Sequence, residues 1–374
     1  MYKGKRKEFF MPNSKAKTKA AVYFKSIRKK EGAKDIAGVN LDLIMKLDAF
    51  SAIKEKDFVA IKMHFGDKDN IGHIKPETVK ALADAIKARK ARPFLVETST
   101  LYVGERSNAY DHLKIAYEHG FTFEKTGVPI IMADGLLGHS QTAVKINARH
   151  NKEIFVAGDV SHYDSIICLS HVTGHIITGI GAAIKNIGMG LASRGGKLSQ
   201  HSGVLPSINA KKCTKCGRCR AFCPAGAISP GDAAFSIDHA KCIGCGECLA
   251  VCKFEAVKYS WKQSSKIVQE KMAEHALGVI FGKKDRIMLT NHIIHVTKEC
   301  DCMAKGEACV MEDIGILASG DPVALDKATI DMVKKMNGYA FDYESENPLN
   351  PLHQLEHGEK IGLGTMDYEL IELN

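Results

Sequence analysis

The chain contains two short cysteine-rich runs, CTKCGRCRAFCP at residues 213–224 and CIGCGECLAVC at residues 242–252. Each run has the order C-x2-C-x2-C-x3-C, and the second run repeats the first after 29 residues. Three cysteines at this spacing wrap a loop around one cubane iron–sulfur cluster, while the fourth ligates the other cluster of the pair. The sequence therefore predicts a duplicated unit that binds two [4Fe-4S] clusters.

The duplication assigns the eight cysteines to two interleaved sets. Cluster 1 is predicted to use Cys213, Cys216, Cys219 and Cys252. Cluster 2 is predicted to use Cys242, Cys245, Cys248 and Cys223. Two four-cysteine zinc sites are the alternative, because zinc sites also use CxxC pairs, but such sites rarely need a third CxxC step.

The overall composition is that of an ordinary globular protein. The 374 residues are 45% hydrophobic and 25% charged, with a formal net charge of +9. No run approaches the length of an apolar membrane span, and the basic start is not followed by a signal segment, so we expect no membrane span and a cytoplasmic location. The charge lacks the aromatic and basic pattern of a nucleic-acid groove. It fits an acidic electron-donor or electron-acceptor protein, of ferredoxin or flavodoxin type.

Outside the cysteine-rich segment, short apolar runs alternate with helical stretches. We predict strands over 59–65, 94–97, 129–132, 166–169 and 286–294, and helices over 76–91, 108–119 and 265–281. Asp321 and Pro322 mark a further helix start, with aspartate as the cap and proline in the first turn. This alternation implies right-handed crossovers and a mostly parallel sheet with helices on both faces.

The cysteine-rich segment interrupts this α/β pattern. We divide the chain into a basic N-terminal extension at 1–19, the first part of an α/β domain at 20–205, an iron–sulfur module at 206–262 and the second part of the α/β domain at 263–374. The expected fold class is α/β, a mostly parallel sheet domain with an inserted α+β module. Two independent domains that flank the module are the alternative.

Two resemblances to known families support this organisation. The cysteine-rich segment resembles a bacterial two-cluster ferredoxin domain, which implies a βαββαβ fold that passes single electrons between adjacent clusters. The flanking sequence resembles the DUF362 family, whose chemistry is unassigned and whose members often contain such an insert. The residues that carry this resemblance are VAIKMHFG at 59–66, YVGER at 102–106, ADG at 133–135, AIKNIGMG at 183–190, CDC at 300–302, DIGILASGDPVALD at 313–326 and GLGTMDY at 362–368.

A third cysteine group lies beyond the module. Cys300, Cys302 and Cys309 follow the order C-x-C-x6-C, and His292 and His295 lie on or directly after the preceding predicted strand. These soft ligands suit a further metal ion, and zinc and iron are both compatible with them. A redox-active thiol pair and buried, inert cysteines are the alternatives.

Three residues of the α/β domain are candidates for catalysis. His64 and Lys62 lie two residues apart at the carboxyl end of a predicted strand, where such sheets bind ligands. Lys185 lies in a glycine-containing run that resembles an anion-binding turn before a helix. Other residues in similar positions, or adding positive charge nearby, are His139, His171, His175, Arg194, Lys197 and His201.

These features lead us to expect an iron–sulfur oxidoreductase, in which the module delivers single electrons to a site of the α/β domain that acts on a small molecule. No glycine motif for a flavin or a nicotinamide is present. A non-catalytic electron carrier or adaptor and an iron–sulfur maturation or sensing protein are the alternatives. A closed pocket lined by His64, Lys185 or Cys302 would favour the oxidoreductase over the carrier.

Overall fold

The computed structural model describes most of the chain. It covers residues 19–27, 32–102, 104–201, 205–259, 263–302, 308–338, 341 and 349–373. The basic extension predicted for residues 1–19 lies, apart from its last residue, outside the described residues. Among the helices in these ranges, none combines the length and the apolar composition needed to cross a membrane.

A large, mostly parallel sheet forms the centre of the molecule. In chain order, the strands of the described residues are β1 (Ala20–Ser26), β2 (Phe58–Lys62), β3 (Arg92–Glu97), β4 (Ile130–Met132), β5 (Gln141–Lys145), β6 (Glu153–Ala157), β7 (Ser165–His171), β8 (Thr173–His175), β9 (Gly179–Gly181), β10 (Ser207–Ile208), β11 (Ile228–Pro230), β12 (Phe235–Ile237), β13 (Val257–Lys258), β14 (Ile287–Ile293), β15 (Gly315–Ser319) and β16 (Tyr368–Glu372). Eight of them form the sheet, in the order β16-β1-β15-β14-β7-β2-β3-β4. Strand β15 runs antiparallel to its neighbours β1 and β14, and the other five pairs are parallel. The predicted mostly parallel sheet is therefore confirmed.

Helices cover both faces of this sheet. In chain order they are α1 (Ala33–Met45), α2 (Asp48–Ser51), α3 (Pro76–Ala88), α4 (Ala109–Glu118), α5 (Phe123–Thr126), α6 (Ala183–Gly188), α7 (Arg194–His201), α8 (Arg218–Ala221), α9 (Glu247–Val251), α10 (Ser265–Val279), α11 (Pro322–Asn337) and α12 (His353–Lys360). The core on one face contains Leu43 of α1 and Ile61 of β2, whereas the core on the other face contains Ile184 of α6, Met272 of α10 and Ala60 of β2. Successive residues of β2 thus face the two cores, as the pleat of a strand requires.

The local sequence explains how these elements begin and end. The residues of β7 are buried except for the last, as expected for a central parallel strand. The carboxylate of Asp321 accepts two backbone N–H groups of the first turn of α11, and Pro322 opens that turn, which confirms the predicted helix start. At the start of β15, Gly315 has a φ of +152°, and a Cβ there would lie 2.4 Å from the carbonyl oxygen of Lys25. Only glycine fits this close approach to β1.

The predicted helices and strands are confirmed with small shifts of their ends. Strands β2, β3, β4, β7 and β14 and helices α3, α4 and α10 lie where the sequence pattern predicts them. The strand predicted over 59–65 is shorter, because β2 ends at Lys62 and the next residues turn away from the sheet. Helix α1 and the strands β1, β15 and β16 were not predicted.

The cysteine-rich segment forms a small unit with the element order β10-α8-β11-β12-α9-β13. Strand β10 pairs with β13, and β11 pairs with β12, both antiparallel. The backbone repeats as the sequence does: residues with positive φ recur after 29 positions, at Lys215, Gly217 and Gly226 and again at Gly244, Gly246 and Glu255. The strands of the large sheet come from both sides of this unit, since β7 precedes it and pairs with β14, which follows it.

Candidate functional site

A cavity of about 490 Å³ opens at the carboxyl ends of β2, β3 and β7. This is the edge at which parallel sheets usually bind ligands, and the volume suits a small molecule. The wall contains the three predicted catalytic residues Lys62, His64 and Lys185, and two of the predicted metal ligands, Cys300 and Cys302. The structure therefore brings together residues that lie more than 200 positions apart in the chain.

The ammonium group of Lys62 is held by a buried ion pair. Its Nζ lies 2.6 Å from Oε1 of Glu97, the last residue of β3, and both side chains are almost fully buried. The same ammonium donates to Oδ1 of Asn186 at 2.8 Å and to the carbonyl oxygen of Met63 at 3.1 Å. All three N–H groups of Lys62 are thus in use, so this side chain organises the wall and has no donor free for a ligand.

His64 lies beside a second buried cation, Arg106. The backbone N–H of Gly66 donates to Nδ1 of His64 at 2.9 Å, and Nη1 of Arg106 lies 2.8 Å from Nε2. Arg106 is in turn paired with Asp67 at 2.9 Å. Burial, and then the charges of Arg106, Lys62 and Lys185, hold the pKa of His64 well below its ordinary value. The ring is therefore neutral at physiological pH, and only one of its two nitrogens can accept a hydrogen bond.

Two further lysines, Lys185 of α6 and Lys197 of α7, extend into the cavity. Burial lowers the pKa of each to about 8. Lys197 donates to three neutral oxygens, the hydroxyl of Thr98 at 2.5 Å and the carbonyl groups of Ser99 at 2.7 Å and Ala192 at 2.9 Å. Within the described part of the chain, Lys185 has no hydrogen-bond or ion-pair partner. It is the one cavity lysine whose donors are available to a ligand.

A sulfur pair and a histidine form the third part of the wall. Cys300 and Cys302 are joined as a disulfide, and the hairpin of β8 and β9 brings His175 to them, so that one ligand atom from each residue lies within 4.8 Å of the others. After reduction, two thiolates and an imidazole could hold a soft metal ion. Nδ1 of His175 accepts the N–H groups of Ile177 at 3.2 Å and Thr178 at 3.1 Å. Ligation through Nε2 would require the ring proton to move to Nδ1, which would break these two bonds.

The predicted grouping of Cys300 and Cys302 with Cys309 differs from this arrangement. Cys309 is exposed, and its sulfur lies 3.2 Å from Nδ1 of His295. His292, the other suggested ligand, is buried with its Nε2 2.9 Å from Oδ1 of Asn40. Residues 297 and 309 form an isolated antiparallel bridge, and Cys309 is not part of the group formed by His175, Cys300 and Cys302. The third residue beside Cys300 and Cys302 is thus His175, whereas the spacing C-x-C-x6-C had suggested Cys309.

The four histidines predicted at strand ends, His64, His139, His171 and His175, do not all lie at the cavity. His64, His171 and His175 line the cavity. His171 is paired with Asp301 at 2.7 Å; burial acts to lower the pKa of His171, but the Asp301 carboxylate outweighs burial and raises it. His139 does not line the cavity, and its ring lies 6.1 Å from the ring of Phe222 in the cysteine-rich unit.

The eight cysteines of the repeat lie around two small cavities in the cysteine-rich unit. One is lined by Cys213, Cys216, Cys219 and Cys252. The other is lined by Cys223, Cys242, Cys245 and Cys248. The fourth cysteine of each run accepts a backbone N–H at 3.3 Å, from Ala227 to Cys223 and from Ala256 to Cys252. The two halves thus exchange their fourth cysteines.

The cysteine-rich unit packs directly against the wall of the large cavity. A Cβ on Gly195 of α7 would lie 2.0 Å from the carbonyl oxygen of Cys245, so the two backbones touch. Leu198 of α7 and Leu101 of the cavity wall share an apolar cluster with Cys248. Helix α7 therefore contacts the cysteine loop through Gly195 and lines the cavity through Lys197 and His201.

The acidic partners of the site are residues to which the sequence pattern assigned no role. Glu97, Asp67 and Asp301 hold the cations Lys62, Arg106 and His171, respectively. A signal was available for Glu97, because it ends the strand that follows Lys62 and parallel strands end at the same edge. Asp301 lies between Cys300 and Cys302, but only the folded chain brings it to His171.

The fold and the site define a mixed α/β protein with a cavity that combines charged groups with apolar surface, and with a cysteine-rich segment. The chain belongs to the DUF362 family: the family model described as "Domain of unknown function (DUF362)" matches residues 59–331. No curated protein matches this chain.

Solved structures resemble this fold only distantly. The lactate racemase apoprotein from Thermoanaerobacterium thermosaccharolyticum is 12% identical with a TM-score of 0.42, over 85% of this chain and 57% of that protein. A structural-genomics protein from Thermotoga maritima is 11% identical with a TM-score of 0.37, over 70% of this chain and 50% of that protein. This chain thus spans about half the length of the two solved proteins.

Proposed function

We propose that this chain is an iron–sulfur oxidoreductase. In this proposal, residues 206–262 form a ferredoxin-type module with two [4Fe-4S] clusters, and the cavity of the α/β domain receives electrons and holds a small substrate. Each cluster, when bound, would accept and release one electron at a time. The observation that carries the proposal is the interleaved arrangement of the eight cysteines around two small cavities.

The spacing of these cysteines supports clusters over single ions. Four thiolates around one zinc ion lie at about 2.3 Å from it, which brings the sulfur atoms within roughly 4 Å of one another. Among the described residues, the group of His175, Cys300 and Cys302 has its ligand atoms within 4.8 Å, whereas neither set of four repeat cysteines does. The wider sets leave room for a multi-iron core.

The backbone of the module also suits such a core. The left-handed residues of the two halves turn each loop around its cavity, and amide groups point at Cys223 and Cys252. Hydrogen bonds to cluster ligands are among the factors that set reduction potential. The element order β10-α8-β11-β12-α9-β13 is the one that the ferredoxin resemblance implies.

The contact through α7 supports electron delivery to the cavity. Gly195 touches the backbone of Cys245, and Lys197, two residues later, lines the cavity. Leu101 joins the apolar cluster around Cys248 and also lines the cavity. Within the described residues, the cysteine loop lies in direct contact with α7, so packing fixes its distance from the cavity.

The cavity favours an enzyme over its two rivals. A non-catalytic carrier needs no pocket lined by His64, Lys185 and Cys302, and this chain has such a pocket, which is partly open to solvent. A maturation protein would instead transfer its clusters readily to an apo acceptor, which a transfer assay would reveal. The reducible Cys300–Cys302 pair, which could also hold a metal ion beside His175, offers an acceptor for electrons inside the same cavity.

We further propose an acidic protein as the electron partner. The segment 211–220, which contains the loop of Cys213 to Cys219, carries five cations, and no acidic residue lies between 205 and 231. The cations are Lys211, Lys212, Lys215, Arg218 and Arg220. Such a surface attracts an acidic carrier of ferredoxin or flavodoxin type at low salt.

Anaerobic purification followed by iron, sulfide and zinc analysis and electron paramagnetic resonance tests the proposal. We expect a brown protein with about eight iron atoms per chain and, after reduction, signals of two interacting clusters. Cys223→Ser and Cys252→Ser should each disturb one cluster, and each should affect the cluster of the other half of the repeat. Cys309→Ser, which alters an exposed cysteine outside the module, is the control. A colourless protein that contains zinc and no acid-labile sulfide would refute the proposal.

A further inference from the structure

We propose that the cavity binds a small organic carboxylate through the ammonium group of Lys185. This inference deepens the proposed function, because it names the substrate class of the same site, and it rests on that function for the choice of the cavity as the substrate site. Three observations support it: the charges of the wall, the lack of a side-chain partner for Lys185 among the described residues, and the presence of glycine at position 181 beside that lysine.

The charges of the wall are paired with one another except for two lysines. The paired groups are Lys62 with Glu97 at 2.6 Å, Arg106 with Asp67 at 2.9 Å and His171 with Asp301 at 2.7 Å. Lys185 and Lys197 have no carboxylate within ion-pair distance among the described residues. Both lysines are half-buried, and a partly desolvated cation is stabilised by a counter-charge, so an anion would be favourable in this cavity.

Of these two lysines, only Lys185 can bind the anion directly. Lys197 donates to Thr98, Ser99 and Ala192, and these three neutral oxygens use all of its N–H groups. Lys185 has no such acceptors and faces the cavity. Its pKa of about 8 leaves it mostly protonated at neutral pH. Lys197 adds positive potential, while Lys185 supplies the hydrogen bond.

Gly181 keeps the space beside Lys185 open. A Cβ at this position would lie 2.9 Å from Oγ1 of Thr173 and 3.7 Å from Nζ of Lys185. Gly181 does not have a positive φ, so its backbone conformation does not require glycine. A side chain at this position would instead crowd the Thr173 hydroxyl and approach the Lys185 ammonium, where a bound anion could contact both.

The rest of the wall favours a carboxylate over a phosphate. Leu101, Ile177 and Met189 give the cavity an apolar part that suits a short carbon skeleton. A phosphate dianion is usually held by several free donors or by an arginine fork, and the guanidinium group of Arg106 is already bonded to Asp67 and Tyr102. One free ammonium beside apolar surface matches a monoanion with a few carbon atoms.

Isothermal titration calorimetry on the oxidised protein tests this inference with four probes: propionate, pyruvate, propionamide and inorganic phosphate. We expect propionate or pyruvate to bind, and the neutral propionamide and phosphate to bind at least tenfold more weakly. Lys185→Met keeps the length of the stem and removes the charge, and it should weaken carboxylate binding about tenfold or more. Gly181→Ala should also weaken it, because the added methyl group fills the space beside Lys185.

Two variants control for general effects. Lys80→Met removes an exposed lysine of α3, and Gly38→Ala adds a methyl group where no atom lies within 4 Å; both should bind like the unmodified protein. Unchanged carboxylate binding in Lys185→Met, equal binding of propionamide, a preference for phosphate, or no binding of any probe would each overturn the inference. The binding measurement does not depend on electron transfer. A protein that holds eight iron atoms but binds no carboxylate would therefore refute this inference and leave the proposed iron–sulfur clusters unaffected.

Discussion

At the scale of residues, the cavity wall consists of buried charges that hold one another in place. Lys62 shows how a residue can be at the right site and still have a different role from the one predicted. Its position at the end of β2 suggested catalysis, but Glu97 and Asn186 take up its ammonium group. Lys185, predicted on weaker grounds, is the residue with free donors.

The Lys62–Glu97 pair leads to a prediction about stability. Glu97→Gln keeps the shape of the side chain but leaves the buried ammonium of Lys62 without its counter-charge. We expect the free energy of unfolding to fall by roughly 3–5 kcal/mol, since breaking a buried ion pair leaves an uncompensated charge. Urea denaturation followed by circular dichroism measures this change.

An exposed ion pair supplies the matched control. Asp84→Asn removes the partner of Lys80 on the surface of α3, where both side chains are about half exposed. Such pairs contribute less than about 1 kcal/mol. If the two substitutions lowered the stability equally, the buried pair would not have the role that we assign to it.

At the scale of elements, helix α7 connects the two parts of the molecule. Its first turn lies against the loop of Cys245, and its later residues reach the cavity. Gly195 and Gly196 are helix-weakening residues, but a close approach of two backbones explains their presence: a Cβ on Gly196 would lie 2.1 Å from the carbonyl oxygen of Phe155. From the sequence, this run was predicted only to add positive charge through Arg194 and Lys197.

This contact predicts the effect of one methyl group. In Gly195→Ala the new Cβ would meet the carbonyl oxygen of Cys245 at 2.0 Å, so the cysteine loop must move away from α7. If the proposed function holds, we expect a changed resonance spectrum of the cluster proposed at Cys245 and slower electron transfer to the cavity, with little change in the large sheet. Gly38→Ala is the control, and identical spectra for both variants would contradict this role of Gly195.

The elements also show where sequence patterns stop being informative. Buried parallel strands such as β2 and β7 were predictable because their apolar runs alternate with amphipathic helices. Strand β15 has an equally apolar sequence, but its direction depends on its neighbours β1 and β14, which no local pattern encodes. Strand β16 lies at the edge, and its alternating charged and apolar residues resemble a surface segment.

At the scale of the whole molecule, buried neutral histidines make stability depend on pH. Three of them lie outside the cavity, and burial lowers their pKa to about 3 for His73, about 4 for His275 and about 3 for His292. The unfolded chain binds protons at these groups below about pH 6.5, and the folded chain does not. Their contribution to stability is therefore complete above pH 6.5 and is lost as the pH falls toward 4.

His292 allows this dependence to be measured. His292→Gln can still donate to Asn40 but no longer titrates. We expect the slope of the unfolding free energy between pH 6 and pH 4.5 to decrease by about 1.4 kcal/mol per pH unit, which corresponds to one proton fewer. Urea titrations at several pH values provide the slope. The exposed His162 is the control: a similar change of slope in His162→Gln would argue against burial as the cause.

The sequence predicted the sheet and the residues that meet at its edge, but not the partners that complete the site. The eight repeat cysteines could be assigned from spacing alone, because the duplication is local. His175 meets the Cys300–Cys302 pair only through the β8–β9 hairpin, and His171 of β7 meets Asp301 only in the folded chain, where β7 pairs with β14. Contacts of this kind depend on tertiary packing, which spacing along the chain does not contain.

The position of β1 between β15 and β16 has a consequence for synthesis on the ribosome. Strand β1 ends at Ser26, and the first residue of β15 is Gly315, so its partners are translated long after it. At about 5–20 residues per second, this interval lasts roughly 15 to 60 s. Throughout this time the nascent strand exposes Val22 and Phe24, which are buried in the finished protein. We therefore expect the emerging polypeptide to bind chaperones that shield apolar segments until translation ends.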